Sequence, residues 1–211
     1  LYRMSPVLHV LHIVPHAGGG VGAVLRTLAT ALHEAGAVRS TIATLDTLNE
    51  ETRAHCRRLG ISWAENLGST ADRRRFDSLV AAADLVLVHW WNHPLLIRLM
   101  AQGLPPSRIV LWSHVNGRHP PQAFFRELFE FPDVFVMASE ASLAAPVVEQ
   151  LPDSGRDKLR VIRSCAGIPS WTTDVCAKNG PPRVGYIGTV EEAKMHRDFL
   201  RLCAAADLAE P

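Results

Sequence analysis

An α/β fold built on a parallel sheet covered on both faces is predicted by three observations. Short apolar runs alternate with helix-period segments from Val7 onward. Three consecutive glycines, Gly18, Gly19 and Gly20, separate the first apolar run from the first such helix. An opening of the same kind, strand then glycine then helix, recurs over residues 183–206.

Taken in order, VLHVLHIV (7–14) reads as the first strand. Val21, Val24, Leu25, Leu28 and Leu32 then recur at helical spacing, with Gly36 as the stop. STIATL (40–45) is the next strand, followed by a helix near 50–59 that begins with Glu50 and Glu51 and ends with Arg57 and Arg58, complementing the helix macrodipole. DLVLVHWW (84–91), RIVLWS (108–113), DVFVMA (133–138) and LRVIRS (159–164) supply later strands, with helical stretches between them. This makes six or seven strands in βα alternation. Residues 165–182, rich in Gly, Pro, Ser, Thr and Asn, read as a linker, after which RVGYIG (183–188) and residues 191–206 read as a fresh strand and helix. The expected boundaries are therefore 1–179 for the first domain and 180–211 for the start of a second. That second stretch, roughly 30 residues, falls below the ~40 at which a lone domain usually buries enough surface to fold.

A formal net charge of +1 with 20% charged residues gives no broad field for nucleic acid or an anionic membrane, so a charged partner must be met locally. The cysteines Cys56, Cys165, Cys176 and Cys203 are scattered, without a C-x-x-C pair, and read as reduced thiols of a cytoplasmic protein. The apolar runs near 7–14 and 84–91 are too short to span a bilayer and are interrupted by His9, His12 and His89. The LYR before Met4 carries no structural weight.

A glycine run between a first strand and a helix lets backbone approach a phosphate and aim free N–H groups at it. Gly18, Gly20 and Ala23 also satisfy G-x-G-x-x-G/A, and Asp46 after the second strand could take a ribose hydroxyl, as a dinucleotide-binding oxidoreductase would require. Pro15, His16 and Ala17 make the loop longer than that tight turn. A turn that holds no ligand is the remaining alternative. A helix N-terminus contributes roughly 0.3–2 kcal/mol to an anion, against about 8 kcal/mol for micromolar binding. A second wall is therefore needed, and GYIGTVEEAKM offers one, with Lys194 six residues after Gly188.

In these segments the chain resembles the family 4 glycosyltransferases, retaining enzymes of the GT-B architecture in which two Rossmann-like domains face each other. LHIVPHAGGGVGAVLRTLATALHEAG is similar to the family's opening strand, Gly-Gly loop and helix. DLVLVHWW is similar to its D-hydrophobic-V-H-x-H strand, with Trp91 at the second His, and VLWSHVNG and VFVMASEAS are similar to two further strand ends. RVIRSCAGIP stands where the family has V-I-P-N-G-V-D. GTVEEAKM is similar to the donor-phosphate motif Gly-Arg-x-x-x-x-Lys-Gly, with Gly188 and Lys194 in register, Thr189 in place of the arginine and Met195 in place of the second glycine. The family's two glutamates, seven residues apart, would fall past Pro211, so the resemblance implies a fragment that is inactive by itself.

The resemblance implies a metal-independent transferase without a cofactor, moving a sugar from a nucleotide-diphosphate donor to an acceptor hydroxyl with retention. Gly19, Gly20, Thr189 and Lys194 would meet the donor phosphates, and His114 would be the catalytic group touching donor sugar and acceptor. His16, His89, Asn92 and Ser139 would contact acceptor or sugar, with Trp90, Trp91 and His93 adding a stacking surface. Structural roles compete for each: a satisfied histidine at a strand end, a packed aromatic corner with Asn92 as helix N-cap, and an N-cap at Ser139. A zinc site from His89 and His93 lacks a ligand partner at suitable spacing. Arg73, Arg74 and Arg75 read as a solvated helix face, or as contact with an inner-membrane surface carrying a lipid-linked acceptor. An exposed interdomain face would let two copies pair. The competing functions are a nucleotide-sugar epimerase, a non-catalytic binding protein of the same architecture, and the oxidoreductase.

Overall fold

The structure, a computed structural model, describes residues 7–36, 38–163, 186 and 195–205. The chain divides into two compact units, Leu1–Pro169 and Ser170–Pro211. In the first, seven strands form one sheet: β1 (Leu8–Val14), β2 (Val38–Thr44), β3 (Ser62–Ala64), β4 (Leu85–Trp90), β5 (Ile109–Ser113), β6 (Val134–Met137) and β7 (Leu159–Val161), in the order β3-β2-β1-β4-β5-β6-β7. Every pairing is parallel. This is a doubly wound, Rossmann-like α/β sheet whose order reverses between β1 and β4, the point at which such sheets bind ligands outside the carboxyl ends of their strands.

The strands are nearly continuous apolar runs because both faces are covered. On one face Val10, Val14, Ile42, Leu87 and Trp112 pack with Val24, Leu25 and Ala29 of α1 (Gly19–Glu34) and with Cys56 of α2 (Glu50–Leu59). On the other, Leu11, Ile13, Val86, Val88, Trp90 and Leu111 pack with Phe76 and Val80 of α3 (Arg73–Ala81) and with Leu96 and Leu99 of α4 (Pro94–Gln102). Burial holds the Cys56 thiol up at about 11, so it behaves as a small apolar side chain. α2 has the bounds its charges predict. Glu50 and Glu51 lie in its first turn and Arg57 and Arg58 in its last, and Gly60 ends it at φ +66° while the Ile61 N–H donates to Cys56 O.

Beyond β5 the helices of this unit are short: α5 (Glu127–Glu130) precedes β6, and a 3₁₀ turn (Glu140–Ala144), α6 (Pro146–Glu149) and α7 (Asp153–Arg156) follow it. Ser139 does stand at an N-cap position, but of that 3₁₀ turn, and its side chain makes no capping bond. The short strand β3, which pairs only with β2, has no counterpart among the expected strands. In the second unit α8 spans Phe199–Ala205, and Tyr186 packs its ring 5.6 Å from Phe199. The expected strand around 183–188 and the segment holding Gly188, Thr189 and Lys194 lie outside the described residues, apart from Tyr186. Among the described residues no helix is long and apolar enough to cross a membrane. Arg73 is committed within the unit, to Asp77 at 2.8 Å and to Gly103 O at 2.9 Å, whereas Arg74 and Arg75 are exposed.

Candidate active site

The carboxyl ends of β1, β4 and β5 form one edge, and the expected site residues of the first unit gather along it. After β1 the chain passes through His16 and Ala17 to Gly18, the N-cap residue of α1, which has extended backbone and no side-chain cap. Gly19 follows at φ +59°, a left-handed conformation that favours glycine. The first N–H groups of α1 have no partner within the helix, so they are free to meet an anion. The loop is pinned from below: the buried Thr52 hydroxyl donates to Ala17 O at 3.0 Å, and Arg26 donates to Thr52 Oγ1 at 3.0 Å.

The tightest glycine in this segment is Gly22, which stands outside the run of three. A Cβ there would lie 2.0 Å from Ala17 O, whereas at Gly19 and Gly20 it would meet nothing within 4 Å. Close packing of helix on loop thus falls at Gly22, outside the three positions of the dinucleotide pattern. The signal was the fourth glycine of GGGVG, at helical spacing from Gly18, whose carbonyl accepts from the Gly22 N–H at 3.0 Å.

His16, exposed, stands over this loop with its ring 5.3 Å from Trp91 and 5.8 Å from His93, both edge-on. Trp91 and His93 lie edge-on to each other at 5.7 Å. Together they make an aromatic platform at the β1/β4 reversal. His93, rather than Asn92, caps α4: its Nδ1 accepts from Leu95 N–H at 3.2 Å, which leaves the ring hydrogen on Nε2. Burial and the neighbouring His16 hold its pKa below the ordinary histidine value, partly opposed by Asp46.

Asn92 has a different task from the one expected. Its Nδ2 donates to Pro121 O at 2.8 Å and to Ala123 O at 3.1 Å, and its N–H donates to Gln122 Oε1 at 3.0 Å. It therefore ties the end of β4 to the loop that follows His114. Trp90 also departs from the expected stacking surface: it is fully buried on the opposite face of the sheet, beside Phe125.

His89 departs most. It is completely buried, with Nε2 3.2 Å from His12 Nδ1 and Nδ1 2.9 Å from His114 Nε2, so no ring nitrogen is left for a sugar. The rings lie edge to edge, nitrogen to nitrogen, with centroids 5.5 Å apart towards His12 and 5.2 Å apart towards His114 and their planes within 22° and 7° of each other. His114, half-buried at the end of β5, also lies 5.3 Å from Trp112. Burial lowers the pKa of His12 and of His114 to about 4, and burial together with the other two histidines lowers that of His89. Two adjacent imidazolium rings 5.2 Å apart would repel by roughly 3 kcal/mol at an effective dielectric of ~20. The three rings are therefore neutral near neutral pH. Among the described residues no group of three His, Cys, Asp or Glu side chains is arranged to hold a metal ion.

No protein-family model and no curated relative matches the chain. Among solved structures, a glycosyltransferase from Rickettsia africae ESF-5 superposes on 75% of this chain and 43% of its own, at 14% identity and a TM-score of 0.50. A candidate UDP-N-acetylglucosamine 2-epimerase from Listeria monocytogenes covers 72% of this chain and 43% of its own, at 16% identity and a TM-score of 0.45. The chain thus spans less than half the length of either neighbour. At these identities the likeness concerns the fold: the α/β, Rossmann-like class is shared with the first of them.

Proposed function

We propose that this chain is the acceptor-side part of a GT-B glycosyltransferase that moves a sugar from a nucleotide-diphosphate donor to an acceptor hydroxyl, with retention and without a metal ion or cofactor. The observation that carries the reading is the gathering of His114, the His16–Trp91–His93 platform and the uncapped N-terminus of α1 on one edge, at the reversal of strand order.

In this reading the donor lies against that edge, with the Gly19 and Gly20 amides towards its phosphates. The bond from the anomeric carbon to the diphosphate breaks, the electron pair leaves with the phosphate oxygen, and an oxocarbenium-like sugar forms. The acceptor oxygen bonds to that carbon from the same face, and its proton passes to the departing diphosphate. His114 touches the donor sugar and the acceptor, the aromatic platform stacks on the acceptor sugar, and Ser139, at the carboxyl end of β6, contacts the donor side. His89 acts through His114.

The test uses the protein encoded by the whole reading frame, assayed with UDP-, GDP- and ADP-sugars in the presence and absence of acceptor glycans or lipid-linked acceptors. Transfer that falls by two orders of magnitude or more in His114→Ala, with the melting curve preserved, is the expected result. Unchanged turnover in that variant removes His114 from the chemistry. Sugar conversion without an acceptor would establish the epimerase instead, and absence of calorimetric heat with any nucleotide diphosphate would leave a binding protein of the same fold.

A further inference from the structure

Four polar side chains descend into the sheet from the candidate site: His114 after β5, His89 in β4, His12 in β1 and Ser40 in β2. Their placement follows from register. Val10 pairs with Ser40, so His12 stands two residues further along; Leu87 pairs with His12, and His89 is two residues further; Trp112 pairs with His89, and His114 is two residues further. Each step crosses one strand and climbs two residues towards the carboxyl edge, all on the face packed against α1. Diagonal neighbours of this kind lie within reach of long side chains. The result is a continuous chain of contacts: Ser40 Oγ to His12 Nε2 at 3.2 Å, His12 Nδ1 to His89 Nε2 at 3.2 Å, and His89 Nδ1 to His114 Nε2 at 2.9 Å. Ser40, His12 and His89 are buried; only His114 is partly exposed.

A neutral imidazole has one N–H and one lone pair. Three neutral rings joined nitrogen to nitrogen must therefore all point their hydrogens the same way, and the choice is made at the buried end. Ser40 has one hydrogen, and among the described residues its hydroxyl has no partner besides His12. If His12 donated to Ser40, the serine hydrogen would be buried without an acceptor. If Ser40 donates, every hydrogen along the chain is used: Ser40 O–H to His12 Nε2, His12 Nδ1–H to His89 Nε2, and His89 Nδ1–H to His114 Nε2. The His114 hydrogen is then on Nδ1.

We propose that Ser40, His12 and His89 are positioning residues that hold His114 as its Nδ1–H tautomer, so that this ring offers a ligand oxygen a hydrogen-bond donor and no lone pair. This rests on the reading of His114 as the ligand-contacting group. It deepens that reading by making His114 a donor to a hydroxyl or phosphate oxygen and excluding it as the base that takes the acceptor's proton.

The experiment is two-bond ¹H–¹⁵N correlation of the histidines in the 211-residue chain near neutral pH. The expected spectrum has His114 Nδ1 protonated and Nε2 unprotonated, by roughly tenfold or more over the other tautomer, the ratio set by the cost of stranding a buried hydroxyl hydrogen. Ser40→Ala removes that constraint, and the His114 ratio should fall to within a few-fold of unity. Ser40→Thr, which restores a hydroxyl, should bring it back. A His114 ring protonated at Nε2 in the unaltered chain overturns the proposal, whatever the variants do. So does a ratio that stays unchanged in a folded Ser40→Ala chain. The measurement needs no ligand or turnover, so a failed transferase assay and a wrong tautomer are separate results.

Discussion

His89 and His114 lie edge to edge and nearly coplanar, at an interplanar angle of 7°, with Nδ1 of the first 2.9 Å from Nε2 of the second. A residue that touches no surface is thereby joined to one at the candidate site. Because both rings and His12 are held neutral by burial, the same arrangement has a consequence for stability.

The fold should weaken in mild acid. His12 and His114 have pKa values of about 4 in the folded chain against 6.5 for an ordinary histidine, so between these values the unfolded chain binds more protons. Stability is complete above pH 6.5 and is lost as pH falls towards 4, by about 3 kcal/mol for each of the two rings. Urea midpoints measured across that range should fall steadily and level off above it. His12→Phe should flatten the slope, and a wild-type profile flat from neutral pH down to 4 would contradict the buried, neutral histidines.

The glycine segment should divide into one intolerant and one tolerant position. Gly22→Ala drives a methyl to 2.0 Å from Ala17 O, a backbone atom, and should cost about 1–3 kcal/mol. Gly20→Ala meets nothing within 4 Å and should be neutral, or stabilising by up to about 1 kcal/mol. Thermal melts of the two variants test this, and equal melting temperatures would contradict it.

Thr52→Val keeps shape and removes the hydroxyl that donates to Ala17 O from a fully buried position. The expected loss is about 1–3 kcal/mol in denaturant unfolding. In amide hydrogen exchange the first turn of α1 should lose protection first. A loss below the experimental scatter would mean that another group holds the loop.

Asn92→Ala cuts both side-chain bonds to Pro121 O and Ala123 O. Exchange of the Gln122 and Phe124 amides, which donate within the loop to His119 O and Gly117 O, should accelerate by tenfold or more, as about 1.4 kcal/mol of local stability is removed. Unchanged exchange would show the loop to be held without the Asn92 side chain, by the Asn92 N–H to Gln122 Oε1 and by Phe124 packing against Gly117.

Much of the fold is legible in the residues. Six of the seven strands announce themselves as apolar runs because a parallel sheet buries both faces, and α2 is delimited by its own charges and Gly60. β3 escapes because Ser62–Ala64 is too short to show a period. The site is legible in part: His114, His16 and the glycines stand at strand ends, where α/β sheets place ligand-binding groups. Asn92, His89 and Trp90 look equally suited in sequence, yet the structure turns Asn92 to the loop and encloses the other two.

Composition and local periodicity by themselves determined the α/β class and most strand and helix segments, and so the carboxyl edge on which the candidate site lies, since these depend on neighbours a few residues apart. Tertiary structure decided which side chains reach that edge. His12 and His89 are 77 residues apart and meet only because the strand order sets β1 beside β4 in one register. Gly22 is demanded by a carbonyl beneath the helix rather than by the glycine run. Both depend on the path of the backbone through space, which couples distant residues through strand pairing and close packing that local pattern does not encode.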